Sequence, residues 1–163
     1  LTKIYLPRLF IPSSSIGSGL IDLLVSFGVF ALLMIYYGVG LGPGVLAVPF
    51  LVLMTAAASL GIGLWLAALI VTYRDFRYVV PFLVQSWLYL SPVIYPVSMV
   101  PPKWQPLLAI NPMAGIIDGF RSALLGLPWN YTTIGISSVS SLVLLAFGLG
   151  YFRKTERSFA DVA

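Results

Sequence analysis

Charge spacing constrains this chain more than any other feature. No Asp, Glu, Lys or Arg occurs between Asp22 and Arg74, between Arg77 and Lys103, or between Arg121 and Arg153. These gaps hold 51 (residues 23–73), 25 (78–102) and 31 (122–152) uncharged residues. A bilayer core about 30 Å thick is crossed by about 20 apolar residues in a helix rising about 1.5 Å each. The first gap is long enough to cross twice and each of the others once, and charges fall where the chain would leave the lipid. This is the pattern of an all-α integral membrane protein.

Composition narrows the function classes. The chain is 60% hydrophobic and 9% charged, against about 25% charged in an average soluble domain, so there is too little polar surface to solvate a globule. Cys and His are both absent, which removes disulfides, thiolate chemistry, imidazole bases and the usual zinc ligands; no cofactor or metal is expected. The net charge of +4 does not point to nucleic acid, because the basic residues sit at segment ends rather than in one patch. Leu1 falls inside a basic-apolar stretch without an initiator Met, so the expectation is a fragment of a longer chain.

Residues 1–12 carry Lys3 and Arg8 among apolar and aromatic neighbours broken by Pro7 and Pro12, a pattern suited to a short interfacial segment. A first span is expected over about 13–37, a Gly-rich turn over 38–44, and a second span over about 45–72. Tyr73–Tyr78 reads as a charged boundary loop. A third span begins at Val79 and ends at Ser91 or Ile94, short for a full crossing, and the last covers about 134–152. Seven basic residues (Lys3, Arg8, Arg74, Arg77, Arg153, Lys154, Arg157) fall on one side and two (Lys103, Arg121) on the other. The positive-inside rule then places both termini and Tyr73–Tyr78 in the cytoplasm. Four crossings return the chain to its starting side, in agreement.

The segment 96–133 should be an outer loop, yet much of it is apolar. Asn111-Pro112, Gly115, Gly119, Gly126 and Pro128 are expected to cut it into pieces too short to cross. Such pieces either enter and leave from one side as re-entrant helices or form a cap lying flat on the bilayer; re-entry is the preferred reading, since irregular backbone at membrane depth lines protein or a water-filled cavity. Asp118 and Arg121, at i and i+3, share a helix face within pairing reach, either as a solvated pair or as a structural pin.

Little in the chain suggests catalysis. There is no phosphate-binding loop, metal motif or nucleophile elbow. Asp22 is the one acid inside an expected span; a proton or cation site is the sharper reading and a hydrogen-bonded carboxylate the plainer, preferred one. Aromatic residues cluster at the third span. Tyr78, Phe82, Gln85 and Tyr89 fall roughly on one helical face (i, i+4, i+7, i+11), where hydroxyl-tipped rings suit the apolar faces and hydroxyl rims of sugars. An interfacial belt accounts for Tyr73, Tyr78 and Trp104 but poorly for Gln85, Trp87 and Tyr89. The acceptor-like triplet Asn130-Tyr-Thr132 is too short a pattern to carry weight.

Several elements occur in a fixed order: Lys3 through Arg8, Tyr73-Arg74-Asp75, Ser91-Pro92-Val-Ile-Tyr95, Asn111-Pro112, Arg121-Ser122 with Leu125-Gly126, and Phe152-Arg153-Lys154 through Asp161. In this order the chain resembles the membrane permease of ABC-2-type transporters that export polysaccharide or polyol phosphate, the O-antigen, capsule and teichoic acid exporters. The resemblance implies a six-span subunit of a homodimer above two cytoplasmic ATP-binding subunits, with this chain matching about the last two thirds. It implies an ATPase-coupling role for Tyr5, Pro7 and Arg8 and a re-entrant outer structure containing Pro92, Asn111, Pro112, Asp118 and Arg121.

The resulting expectation is about four transmembrane helices plus short re-entrant helices on the outer side. They form one transmembrane domain: coupling segment 1–12, three spans over 13–95, outer segment 96–133, last span 134–152 and cytoplasmic tail 153–163. The expected function is a bacterial inner-membrane permease, itself non-enzymatic, moving lipid-linked polysaccharide along a path lined by Tyr78, Phe82, Gln85 and Tyr89. Its partners would be a second copy, an ATP-binding subunit, the glycan substrate and membrane lipid, with no nucleic acid. An ABC-2 exporter of drugs or lipo-oligosaccharide and a membrane enzyme acting on lipid-linked sugars are the alternatives. The poverty of acids counts against the enzyme.

Overall fold

The computed structural model of the chain describes residues 10–40 and 42–160, with side-chain surroundings for 17–40 and 42–156. It divides into two compact units, Leu1–Gly40 and Leu41–Ala163, and every regular element described is helical. Three helices among the described residues are long and apolar enough to cross a membrane.

The described part of the first unit is a helix, α1 (Phe10–Tyr36). It starts three residues ahead of the expected Ser13, and Pro12 falls in its first turn, where main-chain N–H groups have no intrahelical partner to lose. It ends at Gly38, whose φ of 66° is open to glycine at little cost. Val39 N donates to Met34 O at 2.9 Å and Gly38 N to Ile35 O at 3.2 Å, the two bonds of a Schellman cap. Gly17–Tyr36 is the membrane-length part.

The second unit opens with one 3-10 turn, Pro43–Ala47, that runs into α2 (Val48–Thr72). Pro at the start of each costs no helical bond. Extended Tyr73 ends α2, and the chain turns into α3 (Phe76–Leu90). Then come α4 (Gln105–Ala109), α5 (Pro112–Leu125) and α6 (Tyr131–Ala160). The two other membrane-length runs are Pro43–Thr72 and Tyr131–Glu156. With 15 residues, α3 rises only about 22 Å, and Pro81 within it withholds a bond from the Arg77 carbonyl. Helix α6 continues through Arg153-Lys154, because charge ends an apolar run without ending a helix.

Helices α2 and α6 pack through small residues. Ala58, Gly61 and Ala68 are buried on α2, and Ser137, Ser141 and Gly148 on α6. A Cβ added at Gly61 would lie 2.5 Å from the Leu144 carbonyl carbon, and one at Gly148 would overlap the Gly61 carbonyl oxygen. Apolar helices in lipid associate by such close main-chain approach, since lipid tails supply no hydrophobic drive between them.

Helix α5 lies against both. Ile116 packs with Met54 and Ala58, with Met113 and Phe120 beside them. Gly115 and Gly119, expected to break this segment, lie inside α5 instead. Added Cβ atoms there would meet Ser137 Cβ at 2.6 Å and Leu51 Cδ2 at 2.7 Å, and one at Gly44 would meet Ala123 O at 2.8 Å. These glycines admit neighbours rather than end a helix. Ala123, Gly119 and Ile116 thus face Gly44, Leu51 and Met54 in turn, so α5 runs antiparallel to α2. Its N-terminal half reaches Ser137, about 9 Å along α6 from Tyr131.

Candidate functional site

Side chains of segment 96–133 tie the end of α3 to α5. Asn111 caps α5: its Oδ1 accepts from Met113 N at 3.1 Å, while its Nδ2 donates to Ser91 Oγ at 3.0 Å and to Leu90 O at 3.4 Å. Asn is a favoured N-cap, and Pro112 fits the first helical position. Pro92 and Pro112 are both fully buried. Ten residues further along α5, the Arg121 guanidinium donates through Nη2 to Val93 O at 2.8 Å and through Nη1 to Tyr95 O at 3.1 Å. Pro92, Asn111, Pro112 and Arg121 are therefore brought together around Ser91–Tyr95.

Asp118 stands apart from this network. Arg121 is turned toward carbonyls, and the Asp118 carboxylate makes no hydrogen bond or ion pair with any described residue. It lies outside the membrane-length helices, and partial burial pushes its pKa above the usual 3.8, with the Arg121 charge opposing. It lines a cavity of about 510 Å³ with Gln105, Ser122, Trp129 and Tyr131 among the walls.

The four residues expected to line a path lie on α3, which buries no residue in this chain. Their face is the more open one: Tyr78, Phe82 and Tyr89 are 82%, 70% and 67% exposed, against 42–60% for Val79, Leu83, Val84, Trp87 and Leu90. Gln85 is exposed as well. Trp104, expected in the outer belt, is exposed with Lys103 Nζ 5.8 Å from its ring centroid. In α1 the Asp22 main-chain carbonyl accepts from Ser26 Oγ at 2.8 Å. Tyr5, Pro7 and Arg8 lie outside the described residues.

Ser137 is the residue that sequence reasoning missed. Its hydroxyl accepts from Gly115 N at 2.9 Å and donates to Ala109 O at 2.9 Å, joining α4, α5 and α6 at one buried atom. A serine in an apolar helix facing small residues was the available signal, but its partners are 22 and 28 positions away.

The fold, with its three long apolar helices and a short helix packed against two of them, defines a multi-pass helical membrane protein. Residues 2–125 match the ABC-2 type transporter family, and the chain belongs to that family. It is 28% identical over 165 residues to the O-antigen export system permease protein RfbA of Myxococcus xanthus, covering 99% of this chain and 63% of that protein. The Klebsiella pneumoniae protein of the same name is 24% identical over 161 residues, 98% of this chain and 62% of its own length. A shorter match, 38% over 56 residues, links 34% of this chain to 22% of the inner membrane transport permease YadH of Escherichia coli K12. The chain thus spans less than two thirds of the first two relatives' length. Family and apolar helices together make it a multi-pass protein of the bacterial inner membrane.

Proposed function

We propose that this chain is the membrane permease part of an ATP-driven exporter of lipid-linked polysaccharide, working beside a second copy and a cytoplasmic ATP-binding subunit. The carrying observation is the open face of α3. Two tyrosine hydroxyls and the Gln85 amide lie on the most exposed side of a largely apolar helix that its own chain buries nowhere. Polar groups of this kind are costly against lipid and are found on bundle interiors or water-filled cavities. Aromatic rings with hydroxyl tips suit a sliding sugar polymer. Similarity to O-antigen export permeases over 98–99% of the chain supports the same substrate class.

In this reading α4 and α5 re-enter the outer leaflet, supported by the packing of α5 alongside α2 and α6 and of α4 against α6. The coupling role belongs to Tyr5, Pro7 and Arg8, ahead of the first span. The chemistry falls to the partner, and the permease supplies the path.

The test uses the full-length protein in its host. Deleting its gene should abolish surface polysaccharide, and Tyr78→Ala with Tyr89→Ala should lower it severely while protein abundance holds. Single substitutions should act modestly, because a sliding polymer makes many contacts of about 0.5–1.5 kcal/mol each. Normal export by the double variant, with export blocked by Trp104→Ala, would refute α3 as the lining. Normal surface polysaccharide after deletion would refute the substrate class.

A further inference from the structure

We infer that the cavity between α5 and the start of α6 binds a sugar ring of the exported glycan through the Asp118 carboxylate and the Trp129–Tyr131 pair. The inference rests on the export reading and adds to it a second contact point, separate from α3.

The cavity is about 510 Å³, inside the range of roughly 300–1,000 Å³ typical of ligand pockets. Its aromatic wall is a near-parallel pair of rings. The Trp129 and Tyr131 rings are stacked, with centroids 6.4 Å apart and planes within 15°. Such a surface suits the C–H face of a pyranose, and stacking on aromatic rings is specific in geometry without demanding charge.

The polar wall offers what a sugar's hydroxyls need. No described residue hydrogen-bonds or ion-pairs with the Asp118 carboxylate, which is left to accept. Gln105 Nε2 is engaged with Val100 O at 2.9 Å, which leaves its carbonyl oxygen to accept. Asn130 Oδ1 is engaged with Thr133 N at 3.2 Å, which leaves its amide to donate. Acceptors and a donor beside aromatic rings match a sugar ring edged with hydroxyls.

Charge argues against an anion. The one cationic side chain in the wall, Arg121, is already directed at the carbonyls of Val93 and Tyr95, and the unpartnered group is negative. A phosphate would meet a carboxylate; a neutral sugar would hydrogen-bond to it. Partial burial raises the Asp118 pKa, and a sugar hydroxyl donating to that carboxylate would make a charge-assisted bond.

The experiment places the photoreactive residue p-benzoylphenylalanine at Thr132, which lines the cavity without belonging to the proposed contacts. The full-length permease is expressed with its ATPase in the glycan-producing host, and adducts are detected with anti-glycan antibody. A glycan adduct is expected at Thr132 and none at Leu142, an exposed position within the apolar run of α6. Asp118→Asn in the same background should lower the yield about tenfold, as for loss of a charge-assisted bond. Trp129→Ala should lower it about threefold, the scale of one lost stacking contact. Both effects are read at equal protein abundance.

Adducts at Thr132 that neither substitution reduces would overturn the inference, as would adducts carrying phospholipid and no glycan. No adduct at Thr132, with one formed from a probe at Tyr89 and with surface glycan lost on gene deletion, would overturn this site and leave the export reading standing. No adduct at either position, with normal surface glycan after deletion, would overturn both.

Discussion

Replacing Gly61 by alanine should weaken the association of α2 with α6, and the size of the effect follows from the main-chain geometry. An added Cβ would lie 2.5 Å from the carbonyl carbon of Leu144 and 2.6 Å from its oxygen and from Leu145 N. Carbon atoms reach their best separation near 3.5–4.0 Å, so the helices must part by about 1 Å. All three atoms are backbone, and no rotamer change relieves the overlap. A gap of that width forfeits about a quarter to a half of the dispersion energy of neighbouring contacts. Overpacking of this kind costs about 1–3 kcal/mol, offset by up to about 1 kcal/mol from alanine's better helix propensity. The net expectation is a loss of about 1–2 kcal/mol. Gly63, two residues away with nothing within 4 Å of its Cβ position, is the control: Gly63→Ala should be neutral or slightly stabilising. The assay is unfolding of the detergent-solubilised full-length protein by SDS titration, followed by tryptophan fluorescence. Trp65 reports locally, since its ring meets Phe147 of α6 edge-on at 6.1 Å. Equal midpoints for Gly61→Ala and Gly63→Ala would refute the close approach. Rescue by Leu144→Ala would show that a side chain, not the main chain, sets the distance.

Three further outcomes follow from single groups. Ser137→Ala leaves Gly115 N–H without its partner and should cost about 1–3 kcal/mol in the same titration; a midpoint equal to the unsubstituted protein would refute the bridging role. Arg121→Lys replaces a fork that holds Val93 and Tyr95 together with a point charge that can favour one carbonyl. Hydrogen exchange at residues 93–95 should rise while α2 stays protected, and unchanged exchange would refute the clamp. Asp118 has a raised folded pKa, so the folded state binds its proton more tightly and stability falls as pH rises from 3.8 through the folded value. Asp118→Asn should therefore melt higher than the parent at pH 7, and the gain should vanish below about pH 4, where the unfolded carboxyl is also protonated. An equal gain at both pH values would refute partial burial as its source.

Much of the fold was legible because partition into lipid is nearly a sum over local sequence. The long uncharged stretches became α1, α2 and α6, and Tyr73–Asp75 became the turn before α3. Gly38 and Asn111-Pro112 acted at helix ends, where their backbone chemistry is local. The α3 face of Tyr78, Phe82, Gln85 and Tyr89 was readable from helical period alone. The errors arose where local rules gave two answers. Gly115 and Gly119 read as breaks, since glycine disfavours a helix, yet their absent Cβ atoms are what let Ser137 and Leu51 approach. Asp118 and Arg121 stood at pairing distance by spacing, but two carbonyls 26 and 28 residues away competed for the guanidinium.

By itself the sequence determined that the chain lives in a membrane, which stretches form its long apolar helices, and which face of α3 carries polar atoms. Each of these depends on residues within a turn or two of one another. The tertiary structure alone decided that α5 packs against both α2 and α6, that Ser137 joins three helices, and that Asp118 faces a cavity without a partner among the described residues. Those outcomes depend on distances of a few ångströms between groups far apart in the chain, and steric fit at that scale is set only when the helices meet.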